Sequence, residues 1–318
     1  MSKFINALID EVRESTENEE FDDTIGLSEE EILKFINDAQ YRLHARIVQQ
    51  HPSVFIQEKE YDVVSGQEAY AIDFKAAFKN KISKVEFSHT GASDQYLPLN
   101  QAVLKTRSQS YKGVPVSYIR RSGEILLLPV PTSSTGTLRV SYVSKVKRVD
   151  KRRASIISIT GTGTAPTALE VNYVNGSTVD KKELNKRTRI TVVDKYGTIK
   201  MDNVLLSSID VSTGSNDASL ALDTSLWTPE TGEELAVGDY ILSGRYATTH
   251  SELEEEVERY IQAYANWKVL KRDSSVDSQE AIMELNEIEN DIVASYADIS
   301  DDNYEIPEIN EDYDGDIW

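Results

Sequence analysis

The 318-residue chain contains no cysteine. That absence excludes a disulfide scaffold, a thiol nucleophile and zinc held by thiolates. Long apolar runs are missing as well, and no stretch approaches the ~18 consecutive apolar residues of a membrane span. The opening Met1–Glu14 segment is too polar and acidic for a secretory signal. The expected location is therefore a cytoplasm, or a particle assembled there, without a membrane partner. Histidine is scarce: His44, His51, His89 and His250 share no metal-ligand spacing. His44, beside Leu43 and Ile47, reads as an ordinary helix residue. No serine stands in a GxSxG elbow. Gly161-Thr162-Gly163-Thr164 is Gly-rich like a phosphate loop but lacks the Gly-Lys-Ser/Thr ending and a following helix, so it reads as a β-turn. Asp312-Tyr313-Asp314-Gly315-Asp316 alternates carboxylates as calcium loops do, yet has Gly at the fourth position and no closing Glu. Carboxylates are plentiful, but nothing singles out a catalytic pair. The expectation is a protein that is not an enzyme, with no catalytic residue, metal or cofactor.

What is abundant is acid, unevenly placed. The formal charge is −20; the 46 residues after Arg272 carry −16 of it and residues 10–31 carry −10, so the rest of the chain is +6. A mildly basic body with acidic ends suits an assembly part, because blocks of like charge are commonly interaction arms. Acidic ends that only aid solubility are the alternative. Within the body, six of the nine residues from Lys145 to Arg153 are basic: Lys145, Lys147, Arg148, Lys151, Arg152 and Arg153. A second cluster comprises Lys181, Lys182, Lys186, Arg187 and Arg189. Both could meet phosphates, but neither has interleaved aromatics that stack unpaired bases. Equally, these charges could meet the chain's own acidic arms or a neighbour's.

Periodicity divides the chain. Phe4, Leu8, Ile9 and Val12 form one stripe of a short amphipathic helix within residues 2–14. An acidic linker follows. Ser28 and Glu31 make a capping box, with Leu27 and Ile32 spaced as a hydrophobic staple. Leu33, Ile36, Ala39, Leu43 and Ile47 continue the face until His51-Pro52 stops it. From residue 53 the period becomes two. Phe55–Val63 and Ala69–Ile72 read as a hairpin about Ser65-Gly66, with further strands at 84–87 and 95–99 and a short helix at 100–111. Val116–Ile119 and Ile125–Leu128 form a second hairpin, ended by Pro129 and Pro131, and Leu138–Tyr142 adds a strand. Residues 154–245 hold six short strand candidates (155–160, 168–173, 188–193, 198–206, 218–222 and 238–242), as in a small barrel or sandwich inserted between helical segments. Ser251 and Glu254 form another capping box, opening a helix with Leu253, Val257, Ile261, Tyr264, Trp267 and Leu270 on its face. A last helix spans roughly 278–296, with an irregular stretch from Ile299. The fold class is α+β, a mostly antiparallel sheet with helices and an inserted all-β domain.

Several phrases together resemble a known family. They are Ile36-Asn37-Asp38-Ala39-Gln40, Gly66–Ile72, Tyr96-Leu97-Pro98-Leu99, Gly113–Tyr118, Ile125–Pro131 and Leu138–Tyr142, with Tyr260, Ala263, Tyr264 and Trp267 in the late helix. In that order they look like the head-to-tail adaptor proteins of tailed bacteriophages, especially short-tailed ones, over roughly residues 25–145 and 250–297. The resemblance implies a helical bundle and β-sheet that assemble, usually as twelve copies, into a ring beneath the portal. It implies a homo-oligomeric ring in the virion at the head–tail junction, with portal and tail proteins as partners. DNA would pass through the channel without sequence-specific binding. The implied division is an adaptor core of 1–153 and 246–298, an inserted β domain of 154–245, and an acidic C-terminal arm of 299–318. Because the family sheet often hands over directly to the C-terminal helix, the role of the insert is not implied.

Two alternatives stand beside that reading: another virion tail ring or gatekeeper, and a carbohydrate-binding or carbohydrate-active protein using the insert. The second needs clustered aromatics, whereas 154–245 offers Tyr173, Tyr196, Trp227 and Tyr240, widely spaced. The arm itself could extend about 65–70 Å at ~3.3–3.6 Å per residue. Ile306, Ile309, Tyr313, Ile317 and Trp318 make it more apolar than a solubility tail requires, so these are the candidate docking residues.

Overall fold

The computed structural model describes residues 4–15, 28–71, 77–90, 95–103, 111–121, 124–174, 182, 184, 189–211, 216–224, 234–251, 253, 256–272 and 278–301. These form a mixed α+β structure. The chain divides into two compact units, Met1–His44 with Val146–Glu289, and Ala45–Lys145 with Asn290–Trp318.

In the first unit, helix α1 (Ile5–Ser15) buries Ile5, Leu8, Ile9 and Val12. Phe4 does not join that stripe. It precedes the helix in an isolated bridge to His250, and its ring is 45% exposed. Ile5 takes its place because the helix starts one residue later than the stripe assumes. Helix α2 (Glu29–Gln50) opens with the expected capping box. Ser28 N donates to Glu31 Oε2 at 3.2 Å, and Glu31 N donates to Ser28 Oγ at 3.4 Å. The Ser28 amide is thereby satisfied, and the Glu31 amide, which also donates to Ser28 O at 2.9 Å, is shared between two acceptors. Leu33, Ile36, Ala39, Leu43 and Ile47 are all buried. The helix ends where His51-Pro52 begins a 3-10 turn, Pro52–Phe55.

The six strand candidates between residues 154 and 245 close into a barrel. Its members are β12 (Ala154–Thr162), β13 (Ala165–Tyr173), β14 (Arg189–Val193), β15 (Ile199–Val211), β16 (Asp217–Asp223) and β17 (Tyr240–Ser243). The order around the barrel is β12-β13-β16-β15-β14-β17, each neighbour antiparallel. Closure removes the free sheet edges of so small an all-β unit. Alternate residues such as Leu169, Val171 and Tyr173 point into a core shared with Ile190, Val192, Met201, Leu220 and Ile241. Gly161-Thr162-Gly163-Thr164 is the tight connection between β12 and β13, with Gly161 at φ +100.

Helix α3 (Glu256–Arg272) buries Val257, Tyr260, Ile261, Tyr264 and Trp267. It starts five residues after Ser251, so Ser251 is not its cap. The Ser251 hydroxyl is buried, donates to Gln40 Oε1 at 2.9 Å and accepts from Leu253 N at 3.2 Å. Tertiary burial claimed a side chain that local spacing assigns to a helix start. Glu254 lies outside the described residues. Helix α4 (Ser278–Asp301) buries Leu285, Ile288, Ile292 and Tyr296 and runs slightly past the expected irregular start at Ile299. Among the described residues, no helix is long and apolar enough to cross a membrane.

The second unit holds two four-stranded sheets. One has the order β1 (Ile56–Asp62), β10 (Thr137–Ser144), β3 (Ala77–Ser88), β4 (Tyr96–Pro98); the other β2 (Ala69–Ala71), β8 (Glu124–Leu128), β7 (Ser117–Arg121), β5 (Asn100–Gln101). The expected hairpin of 55–63 with 69–72 does not form. Strand β1 pairs with β10, and β2 pairs with β8. The Ser65-Gly66 turn changes sheets instead of reversing within one: Val63 N donates to Gly136 O and Leu127 N donates to Glu68 O. The hairpin of β7 and β8 does form, in register from Ser117↔Leu128 to Arg121↔Glu124. Its apolar run is buried on both faces, Ile125 and Leu127 in one cluster and Leu126 and Leu128 in another. Of the expected helix at 100–111, Asn100-Gln101 is strand paired in parallel with β7, and residues 104–110 lie outside the described set.

Candidate partner-docking interface

The basic run Lys145–Arg153 separates by burial. Arg153 is fully buried, and its Nη2 donates to Glu30 Oε2 at 2.9 Å and to Asp150 Oδ1 at 2.6 Å. A second bond from Nη1 to Glu30 Oε1 makes that pair bidentate, which is the stronger geometry for Arg and carboxylate. Asp150 Oδ2 also accepts from Ser243 N at 2.8 Å, tying the cluster to β17. Burial opposes ionisation of Glu30, but the hydrogen bonds and charge of Arg153, with Lys151, outweigh it and hold the carboxyl below its ordinary value. Lys151 Nζ lies 2.9 Å from Glu29 Oε2 and 3.3 Å from Glu30 Oε1. Arg148 Nη1 donates to Ser243 O at 3.0 Å. Arg152 donates to Lys195 O at 2.6 Å and lies over the rings of Tyr240 and Phe4, with 4.3 Å and 5.2 Å to the centroids. Lys145 is exposed, and Lys147 half-buried. Lys151 and Arg153 thus meet acids at the head of α2, part of the chain's own acidic block.

Asn37 of α2 completes this joint. Its Nδ2 donates to Leu33 O and Val149 O, both at 2.8 Å, while Oδ1 accepts from Val149 N at 2.9 Å. A buried amide side chain with three bonds to backbone leaves little polar capacity unmet. Of the second basic cluster, Arg189 donates to Asn203 O at 2.7 Å; Lys181, Lys186 and Arg187 lie outside the described residues. So do the arm residues Ile306, Ile309, Tyr313, Ile317 and Trp318. Among the described residues no group of His, Asp and Glu is placed to hold a metal. Of the four candidate aromatics in 154–245, Tyr173 is inside the barrel core, Tyr240 is covered by Arg152, Tyr196 is exposed and Trp227 is outside the described residues.

An exposed apolar surface lies elsewhere, in the second unit. Leu97 is 70% exposed, Val116 60% and Val114 48%, around a groove of about 640 Å³ floored by Phe87 and Leu99. Sequence reasoning did not single it out. The signal was present in Leu97-Pro98-Leu99 and Val114-Pro115-Val116, two apolar-Pro-apolar phrases of a kind that fits sheet edges.

Comparison with known proteins returned one family. Residues 5–155 match the family model described as SU10 adaptor protein, covering α1, α2, both sheets of the second unit and the basic run. No curated protein matches the chain. Over residues 5–155, just under half of the chain, the sequence is therefore similar to the SU10 adaptor protein family, in agreement with the head-to-tail adaptors of short-tailed phages that its motifs resemble.

Proposed function

We propose that this protein is a non-enzymatic ring component of a phage head–tail connector, docking on the portal vertex and linking it to tail proteins. The match of residues 5–155 to the adaptor family carries the reading. The exposed Leu97, Val114 and Val116 support it, since an apolar patch on an otherwise charged chain marks a contact surface. The ring is homo-oligomeric, with twelve copies expected from the family resemblance. Its helices brace it as a bundle, and its channel passes DNA without reading sequence. The core comprises 1–153 and 246–298. Residues 154–245 form a separately folding β domain projecting toward tail proteins or a neighbouring subunit, and 299–318 form an arm that docks through Ile306, Ile309, Tyr313, Ile317 and Trp318. The exposed Lys145 is the member of the basic run best placed for an acidic partner.

The test is mass spectrometry and electron microscopy of the purified particle. The protein is expected in virions at the head–tail junction and, with purified portal, as a ring on it. Absence from virions refutes the assignment.

A further inference from the structure

Strand β4 is the edge of its sheet, paired with β3 on one side. Edge strands expose unpaired backbone groups and are natural sites for another chain. Here Leu97 of β4 lines an apolar groove together with Val114, Pro115 and Val116. Its volume, about 640 Å³, lies in the range of roughly 300–1,000 Å³ typical of sites that engulf a ligand. No acidic side chain lines it among the described residues, and exposed Lys112 lies two residues from Val114.

The chain contains a segment suited to this groove. Residues 302–318 carry seven acids and no base, yet include Tyr304, Ile306, Ile309, Tyr313, Ile317 and Trp318. They span up to about 55–60 Å when extended. Such a segment brings anchors for an apolar groove and charge that acidic walls would repel. A head-to-tail ring also needs two different patches on each subunit, one engaging the other on the next copy. A groove filled by its own chain contributes nothing to that contact.

We propose that the groove between Leu97 and Val116 receives the C-terminal segment 302–318 of a second copy of this chain, with Trp318 and Tyr313 as its anchors. The proposal rests on the ring reading above and names the acceptor of the arm.

The test mixes two variants that each lack one half of the contact. Full-length chain with Leu97→Asp and Val116→Asp keeps the segment and loses the groove. Chain ending at Asp301 keeps the groove and loses the segment. Leu97 and Val116 are exposed, so folding is expected to survive, and Val237→Asp, also exposed, is the control. Sedimentation should show each variant monomeric alone and a 1:1 complex on mixing. A labelled 302–318 peptide should bind the truncated chain, and at least about tenfold more weakly after the two groove substitutions or with Trp318→Ala, a loss of about 1.4 kcal/mol. A peptide that does not bind, or binds both groove forms equally, overturns the proposal. A peptide that binds while the mixture stays monomeric also overturns it, because the segment then does not engage a second copy. Both assays contain this chain alone, so their failure leaves the adaptor assignment standing, which fails only on absence from virions.

Discussion

Arg153 donates a bidentate pair of hydrogen bonds to Glu30, a residue 123 positions earlier in the chain, and no part of the Arg153 side chain reaches solvent. The contact joins the first turn of α2 to the residue preceding the barrel's first strand. Its other acid, Asp150, is equally buried.

Removing Arg153 leaves the buried Asp150 with only the more distant Arg148, whose Nη2 lies 3.9 Å from Asp150 Oδ1, and breaking a buried pair typically costs about 3–5 kcal/mol. Arg153→Ala is expected to lower stability by that order in urea denaturation. Lys145→Ala, at an exposed position, should change it by less than about 0.5 kcal/mol. Equal effects of the two would show that the buried cluster carries no special stability.

Acid should weaken the same joint. Glu30 has its folded pKa depressed, and so, more weakly exploited because its side chain is 40% exposed, has Glu29. Depressed carboxyls contribute stability that is full above their unfolded value of about 4.3 and lost as pH falls through the folded value. Urea midpoints are therefore expected to drop below about pH 4.3, and Glu30→Gln should flatten that drop while lowering stability at neutral pH. An acid transition identical in Glu30→Gln and the parent protein would remove Glu30 from the account.

Asn37 is a test of the α2 joint that involves no charge. Asn37→Leu leaves the amide and carbonyl of Val149 without their side-chain partner, and unmade buried bonds cost about 1–3 kcal/mol each. A loss of at least about 2 kcal/mol is expected by denaturant unfolding. A neutral result would mean that water or a rearranged backbone satisfies Val149.

Gly136 reports on the floor of the apolar groove. A Cβ there would lie 2.8 Å from both Phe87 Cζ and Ser88 O, and a backbone oxygen in a paired strand cannot swing aside. Gly136→Ala should destabilise by about 1–3 kcal/mol through overpacking. At Gly113 the nearest atom would be Pro129 Cγ at 3.4 Å, an ordinary contact, so Gly113→Ala should be nearly neutral. Thermal melts of the two variants decide it, and equal melting temperatures would contradict the geometry.

Much of the fold was legible because its signals are local. The capping box at Ser28 and Glu31 and the buried stripe Leu33 to Ile47 follow from spacing within one helix. All six barrel strands stood in the alternation of residues 154–245. The exposed apolar groove was harder to read. Leu97 and Val116 look like core residues in a strand pattern, and an exposed apolar side chain differs from a buried one only by what packs over it. Basic residues mislead in the opposite direction: Arg153 reads as surface charge, and only partner acids 3 and 123 positions away make its burial tolerable.

By itself the sequence determined most of the elements, the acidic ends, the absence of thiol chemistry and the likeness of residues 5–155 to the adaptor family. These follow from composition, periodicity and short motifs, which act over a few neighbouring residues. Tertiary structure alone decided that β1 joins β10 and not β2, that the six strands close into a barrel, and that Ser251 bonds Gln40 in place of capping a helix. Strands with the same alternation are interchangeable partners to local rules. The choice among them is made by which pairing buries the most apolar surface and leaves the fewest backbone groups unpaired, and that comparison exists only when the whole chain is folded.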